Sequence, residues 1–83
     1  MGELSKLPNI GSVLEQKLND ASIYTIEDLQ SIGSKESFFR IRLNDSTACF
    51  NVLCALEGAI QDIRWHYLSE ETKQNLKAYY KTL

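Results

Sequence analysis

The chain has 83 residues, 43% hydrophobic and 24% charged, a composition that makes one small globular domain and excludes a disordered tail. Nine Lys and Arg against eleven Asp and Glu leave a net charge of -2, the reverse of the basic balance by which a free-standing nucleic-acid binder gathers phosphates. With no export signal and no apolar run of about 18 residues, a cytoplasmic chain and no membrane partner are expected.

A first short helix is expected over about Glu3 to Leu7, ended by Pro8, whose ring disfavours helical geometry at the residue before it. Leu7-Pro8-Asn9-Ile10-Gly11 then reads as a tight turn between two helices, because Pro cannot sit mid-helix and Asn and Gly both tolerate φ > 0. Ser12 is expected to cap the second helix in a capping box with Glu15, and Val13, Leu14, Leu18 and Ala21 to form its apolar stripe down to the turn Asp20-Ala21-Ser22. A second box, Thr25 with Asp28, opens a helix to about Ile32, with Tyr24 and Leu29 placed as a hydrophobic staple and Gly33 as the stop.

Ser34 to Arg42 makes a fourth helical segment with Phe38, Phe39 and Ile41 as its apolar content. Asn44-Asp45-Ser46-Thr47 is the expected start of the longest helix. Along it, Cys49, Leu53, Leu56, Ile60 and Ile63 form one stripe and Ala48, Val52, Ala55 and Ala59 a flanking row, so contacts on two sides are expected. Cys49 and Cys54 diverge too far on one helix to bridge and read as reduced thiols used for packing. Gly58 within a helix is unfavourable by about 1 kcal/mol relative to Ala, which implies a neighbouring backbone or ring pressed against it. The helix breaks at Arg64-Trp65-His66-Tyr67, and Ser69 caps a last helix with Glu70 and Glu71 at its positive end and Leu76, Tyr80 and Leu83 on one face. Nothing reads as a strand, linker or repeat. The expected fold is all-α, a compact bundle of five or six short helices in a single domain over 1–83, with a hairpin part at about 3–32 and a second helical part at about 34–83.

Two places carry functional candidates. Around the hairpin, amides at Ile10, Gly11 and Ser12 on a helix N-terminus, together with Lys6, Asn9 and Lys17, are candidates for holding a nucleic-acid phosphate. Arg64, Trp65, His66 and Tyr67 gather the only Trp and the only His and are candidates for a surface that recognises a partner protein, or for closing a helix junction. Tyr79 and Tyr80 with Lys77 and Lys81 form a weaker candidate for stacking on single-stranded nucleic acid, although one face of that stretch is needed to bury its helix. No nucleophile is paired with a base, no Gly-rich nucleotide loop is present and no Cys or His stands at ligand spacing. The expectation is therefore no enzyme, no catalytic residues, no metal and no cofactor.

Two patterns in this order carry a family resemblance across nearly the whole chain. Leu7-Pro8-Asn9-Ile10-Gly11 with Leu18, Ala21, Ile23, Thr25 and Asp28-Leu29 resembles a helix-hairpin-helix element, also SAM-domain-like. Leu53-Cys54-Ala55-Leu56-Glu57-Gly58-Ala59-Ile60 followed by Arg64-Trp65-His66-Tyr67-Leu68 looks like the second half of the C-terminal domain of TfoX proteins, bacterial regulators of natural competence. The resemblance implies an all-helical domain with a helix-hairpin-helix-like element, and full-length members associated with switching on competence genes together with the cyclic-AMP receptor protein. The sequence departs from the phosphate-binding hairpin at two points: Asn9 stands where a second Gly is usual, and Glu15 occupies the first helical turn where a basic residue is usual. A carboxylate there opposes a polyanion by like-charge repulsion, with Lys6 and Lys17 partly offsetting it. The expected function is a non-catalytic interaction domain in competence and DNA-transformation gene regulation, working through protein contacts with transcription or competence machinery. The alternative is weak, sequence-independent DNA binding through the hairpin turn. A monomer or weak homodimer is expected.

Overall fold

Helix α4 (Phe50–Gln61) is buried on several sides at once, through Leu53, Cys54, Ala55, Leu56, Gly58 and Ala59. In the computed structural model, which describes residues 2–83, α2 (Ile26–Ile32), α3 (Ser34–Asn44) and α5 (Glu70–Tyr80) pack against it, and α1 (Ser12–Asp20) packs against α3. One 3-10 turn, Glu3–Lys6, precedes α1, and another, Trp65–Tyr67, joins α4 to α5. Among the described residues there is no strand, and the all-α bundle expected from the sequence is the fold. The expected helix over Glu3 to Leu7 is only a 3-10 turn, so the element before the Pro8 bend is a single tight turn of chain.

Phe38, Ile41, Leu53 and Leu56 are fully or almost fully buried and meet Leu4, Leu18, Ile23 and Leu29 from the N-terminal half. Each such side chain removed from water contributes about 1.5 to 3 kcal/mol. Tyr80 packs its ring 5.9 Å from Phe38 and 5.6 Å from Phe50, and the Tyr79 hydroxyl donates to the Lys35 carbonyl at 3.3 Å. Both tyrosines of the proposed stacking stretch are thus engaged in holding α5 to α3 and α4.

Helix ends follow local chemistry where that chemistry is short-range. The Thr25–Asp28 capping box forms in full: the Thr25 hydroxyl accepts from the Asp28 N–H at 2.9 Å, and the Asp28 carboxylate accepts from the Thr25 N–H at 3.2 Å. Those bonds hold the Asp28 carboxyl below its ordinary range, the Tyr24 N–H contributing most. Tyr24 itself is 57% exposed, so the box rather than a buried staple fixes the start of α2. Gly33 both ends α2 and caps α3.

Six expectations are corrected. Ser12 is the first residue of α1 and Gly11 is its N-cap, without a side-chain bond, so there is no Ser12–Glu15 box. Val13 points outward at 70% exposure and is not part of the buried stripe. The longest helix starts at Phe50 rather than near Asn44, because the Asp45 carboxylate binds the Thr47 N–H and hydroxyl and folds 45–47 into a turn. Cys49 is therefore an exposed N-cap residue, while Cys54 packs in the core, where burial pushes its thiol up. Ile63 lies beyond α4: Asp62 adopts φ 61, its N–H donates to Ala59 at 3.1 Å and the Ile63 N–H donates to Gly58 at 2.9 Å, a Schellman ending. Leu83 also lies beyond its helix and is 44% exposed.

Lys17 pairs with Asp45 across the gap between α1 and the 45–47 turn, and that bond first, then Thr47, pulls the Asp45 carboxyl down to about 2. A folded-state value below the unfolded value of about 3.9 stabilises the fold fully above that value, and the contribution is lost as pH falls through about 2. Asp45→Asn should accordingly lower the urea midpoint slightly at pH 6, and the gap to wild type should close on acidification toward pH 2. A gap that stayed constant with pH would remove the ion pair from the account.

Candidate functional site

The bend after Pro8 is built on Asn9, which sits at φ 70, a left-handed conformation that Asn reaches more readily than other non-Gly residues. Gly11, expected to share that property, adopts φ -97 and does not use it. From this backbone the Asn9 side chain turns inward. Its Nδ2 donates to the Ile63 carbonyl at 2.9 Å and to the Ala55 carbonyl at 3.4 Å, and its Oδ1 accepts from the Trp65 N–H at 3.2 Å. One amide thus satisfies backbone groups at the C-terminal end of α4 and ties the bend to the segment carrying Trp65. Gly58 is the surface on which this happens: a Cβ there would lie 2.6 Å from Asn9 Nδ2, 2.9 Å from the Ile63 oxygen and 3.0 Å from the Trp65 Cα. The close approach expected at Gly58 is present, made by backbone and by Asn9.

The remaining candidate residues around the bend divide. Ile10 is a core residue at 5% exposure, and Lys17 is held by Asp45. Lys6, Gly11 and Ser12 are exposed. The N–H groups of Ser12, Val13 and Leu14, at the start of α1, have no partner among the described residues. Glu15, the acid of that first turn, is 4% exposed and reaches away from them, its carboxylate accepting from the Gly2 N–H at 3.3 Å and the Ser5 N–H at 3.4 Å. It therefore caps the preceding 3-10 turn, a role the S-x-x-E pattern does not reveal because the partners lie 13 and 10 residues back in sequence.

In the second candidate, Arg64, His66 and Tyr67 are exposed and Trp65 is half-buried. The Trp65 and His66 rings stack at 4.2 Å, and the His66 carbonyl accepts from Lys73 Nζ at 3.3 Å. Asn9, Gly11, Ser12 and Lys17 of the first candidate and Trp65 of the second line one groove of about 530 Å³, whereas Lys6, Ile10, Arg64, His66 and Tyr67 do not line it. Gly11 to Leu14 and Lys17 line it from the start of α1, Asn51, Val52 and Ala55 from α4, and Trp65 from the segment after α4. A second, more polar cleft of about 640 Å³ runs between the start of α3 and α5, with Ser34 donating to Glu57 at 2.6 Å inside it. Among the described residues no group of three or more His, Cys, Asp or Glu is placed to hold a metal ion.

The model of the TfoX C-terminal domain matches residues 1–80. The chain belongs to the TfoX C-terminal domain family. Two solved structures superpose on it with a TM-score of 0.94 at 54% sequence identity. One is the triclinic form of a protein from Listeria monocytogenes described as uncharacterized, with 95% of this chain and 90% of that chain covered. The other is the tetragonal form of a Listeria monocytogenes protein of unknown function, with 96% and 98% covered. No curated protein matches. In this TfoX C-terminal domain, then, both sequence patterns that suggested the family meet physically, since Gly58 of the second receives Asn9 of the first.

Proposed function

We propose that this TfoX C-terminal domain is a non-catalytic interaction module of a bacterial regulator, acting in the cytoplasm in competence and DNA-transformation gene regulation through contacts with transcription or competence proteins. The observation that carries the reading is the contrast between its two candidate surfaces. At the hairpin, Asn9 is consumed by internal bonds and Lys17 by Asp45, which leaves Lys6 as the only hairpin candidate cation outside an ion pair among the described residues. A polyanion needs several such contacts at cellular salt. Around Trp65, by contrast, Tyr67 is 77% exposed, a large aromatic group of the kind protein interfaces use as an anchor.

The test is capture from a lysate of the host bacterium by crosslinking, with retained proteins identified by mass spectrometry. Wild type should retain a component of the transcription or competence machinery. Tyr67→Ser should lose it with stability changed by less than about 0.5 kcal/mol, as for other surface substitutions. The rival reading, weak DNA binding through the hairpin, predicts instead that duplex DNA at low salt shifts the Gly11 and Ser12 amide resonances and that no protein is retained.

A further inference from the structure

Resting on that interaction reading, we propose that the groove between the start of α1 and Trp65 docks a partner-protein segment that presents an apolar side chain next to a carboxylate. The apolar half follows from the lining: Val13, Leu14, Val52, Ala55 and Trp65 face a channel open to solvent, and Val13 is held out at 70% exposure at the rim. The carboxylate follows from charge. In a chain of net charge -2, no Asp or Glu lines this groove among the described residues, while three unpartnered N–H groups, at Ser12, Val13 and Leu14, stand along its edge. Glu15, the acid of that first turn, is drawn off to Gly2 and Ser5, so it does not fill those amides.

The same geometry selects a single acidic group over a nucleic-acid backbone. Lys17 is the one cation lining the groove, and Asp45 already neutralises it. What remains is the partial positive charge of one helix end, enough for one carboxylate and too little for a row of phosphates. Asn9 fixes Trp65 relative to the chain entering α1, because its side chain accepts from the Trp65 N–H.

The experiment uses nine-residue acetylated peptides with a central Leu or Phe flanked by Asp and Glu, by Lys or by Ser, titrated into the whole domain while its amide and indole resonances are followed. Acidic-flanked peptides should move the Ser12, Val13 and Leu14 amides and the Trp65 indole saturably, and the Lys- and Ser-flanked peptides should not. Ser12→Glu should weaken binding by about tenfold or more, a loss of about 1.4 kcal/mol. The same variant should keep or raise the thermal midpoint, because an acid in the first turn suits a helix start. Ser12→Lys should tighten binding. Equal shifts from Lys-flanked peptides, no shifts from any peptide, or an unaffected Ser12→Glu variant would each overturn the proposal, as would duplex DNA moving these signals where the acidic peptides do not. If Tyr67→Ser abolishes capture of a partner while the groove ignores acidic peptides, the docking proposal fails and the interaction role stands. If acidic peptides bind but no partner is captured, the failure belongs to the proposed function.

Discussion

Gly58→Ala should destabilise the domain by roughly 1 to 3 kcal/mol, even though the same change in an open helix gains about 1 kcal/mol. The reversal comes from crowding. The added methyl would stand at 2.9 Å from the Ile63 oxygen and 3.0 Å from the Trp65 Cα, and neither backbone atom can swing aside as a side chain can. Gly58→Val, with two further methyls, should approach the whole stability of a domain this size, which is about 4 to 12 kcal/mol at the usual value per residue. Urea unfolding reads both. An alanine variant as stable as wild type would mean that the 62–65 segment moves away freely and is not clamped to α4.

Asn9→Ala should cost about 2 to 4 kcal/mol, the loss of bonds to part-buried backbone groups at Ile63 and Trp65 plus the greater cost of φ 70 for Ala than for Asn, whose short polar side chain eases that conformation. Asn9→Gly separates the two parts. It removes the bonds but relieves the backbone, so it should be less damaging by about 1 kcal/mol. The combination of Asn9→Gly with Gly58→Ala should be less harmful than the two effects added, because the shortest clash of the new methyl, 2.6 Å, is with the Asn9 amide itself. Strict additivity would show that the two residues are not one unit.

Much of the fold was legible because its determinants are local. The Thr25 box, the Gly33 stop and the Ser69 cap, whose hydroxyl accepts from the Thr72 N–H at 3.1 Å, each act within a few residues and were read in place. Two misreadings share one cause: a side chain found a partner distant in sequence. Ser12-x-x-Glu15 has the spacing of a box, but Glu15 reaches the 3-10 turn before it. Asn44 to Thr47 has the composition of a cap, but Asp45 is claimed by Lys17, 28 residues earlier, and by Thr47, so α4 waits until Phe50. At the candidate site, Gly58 signalled a close approach, but its partner was invisible because the Asn9 bonds span 46 to 56 residues. That the start of α1 and Trp65 line one groove was equally out of reach of either motif alone.

The junction between α2 and α3 shows a different use of glycine. Gly33 adopts φ 86 and ψ 164 and is the sole residue between the two helices, yet a Cβ there would meet no atom within 4 Å. The corner is set by handedness alone: a mirror-image alanine, incorporated by chemical synthesis, belongs naturally at this dihedral pair, whereas its ordinary L counterpart does not. With no linker to absorb a change, the direction in which α3 leaves α2, and with it the placement of Phe38 and Ile41 against α4, is written in the torsions of one achiral residue.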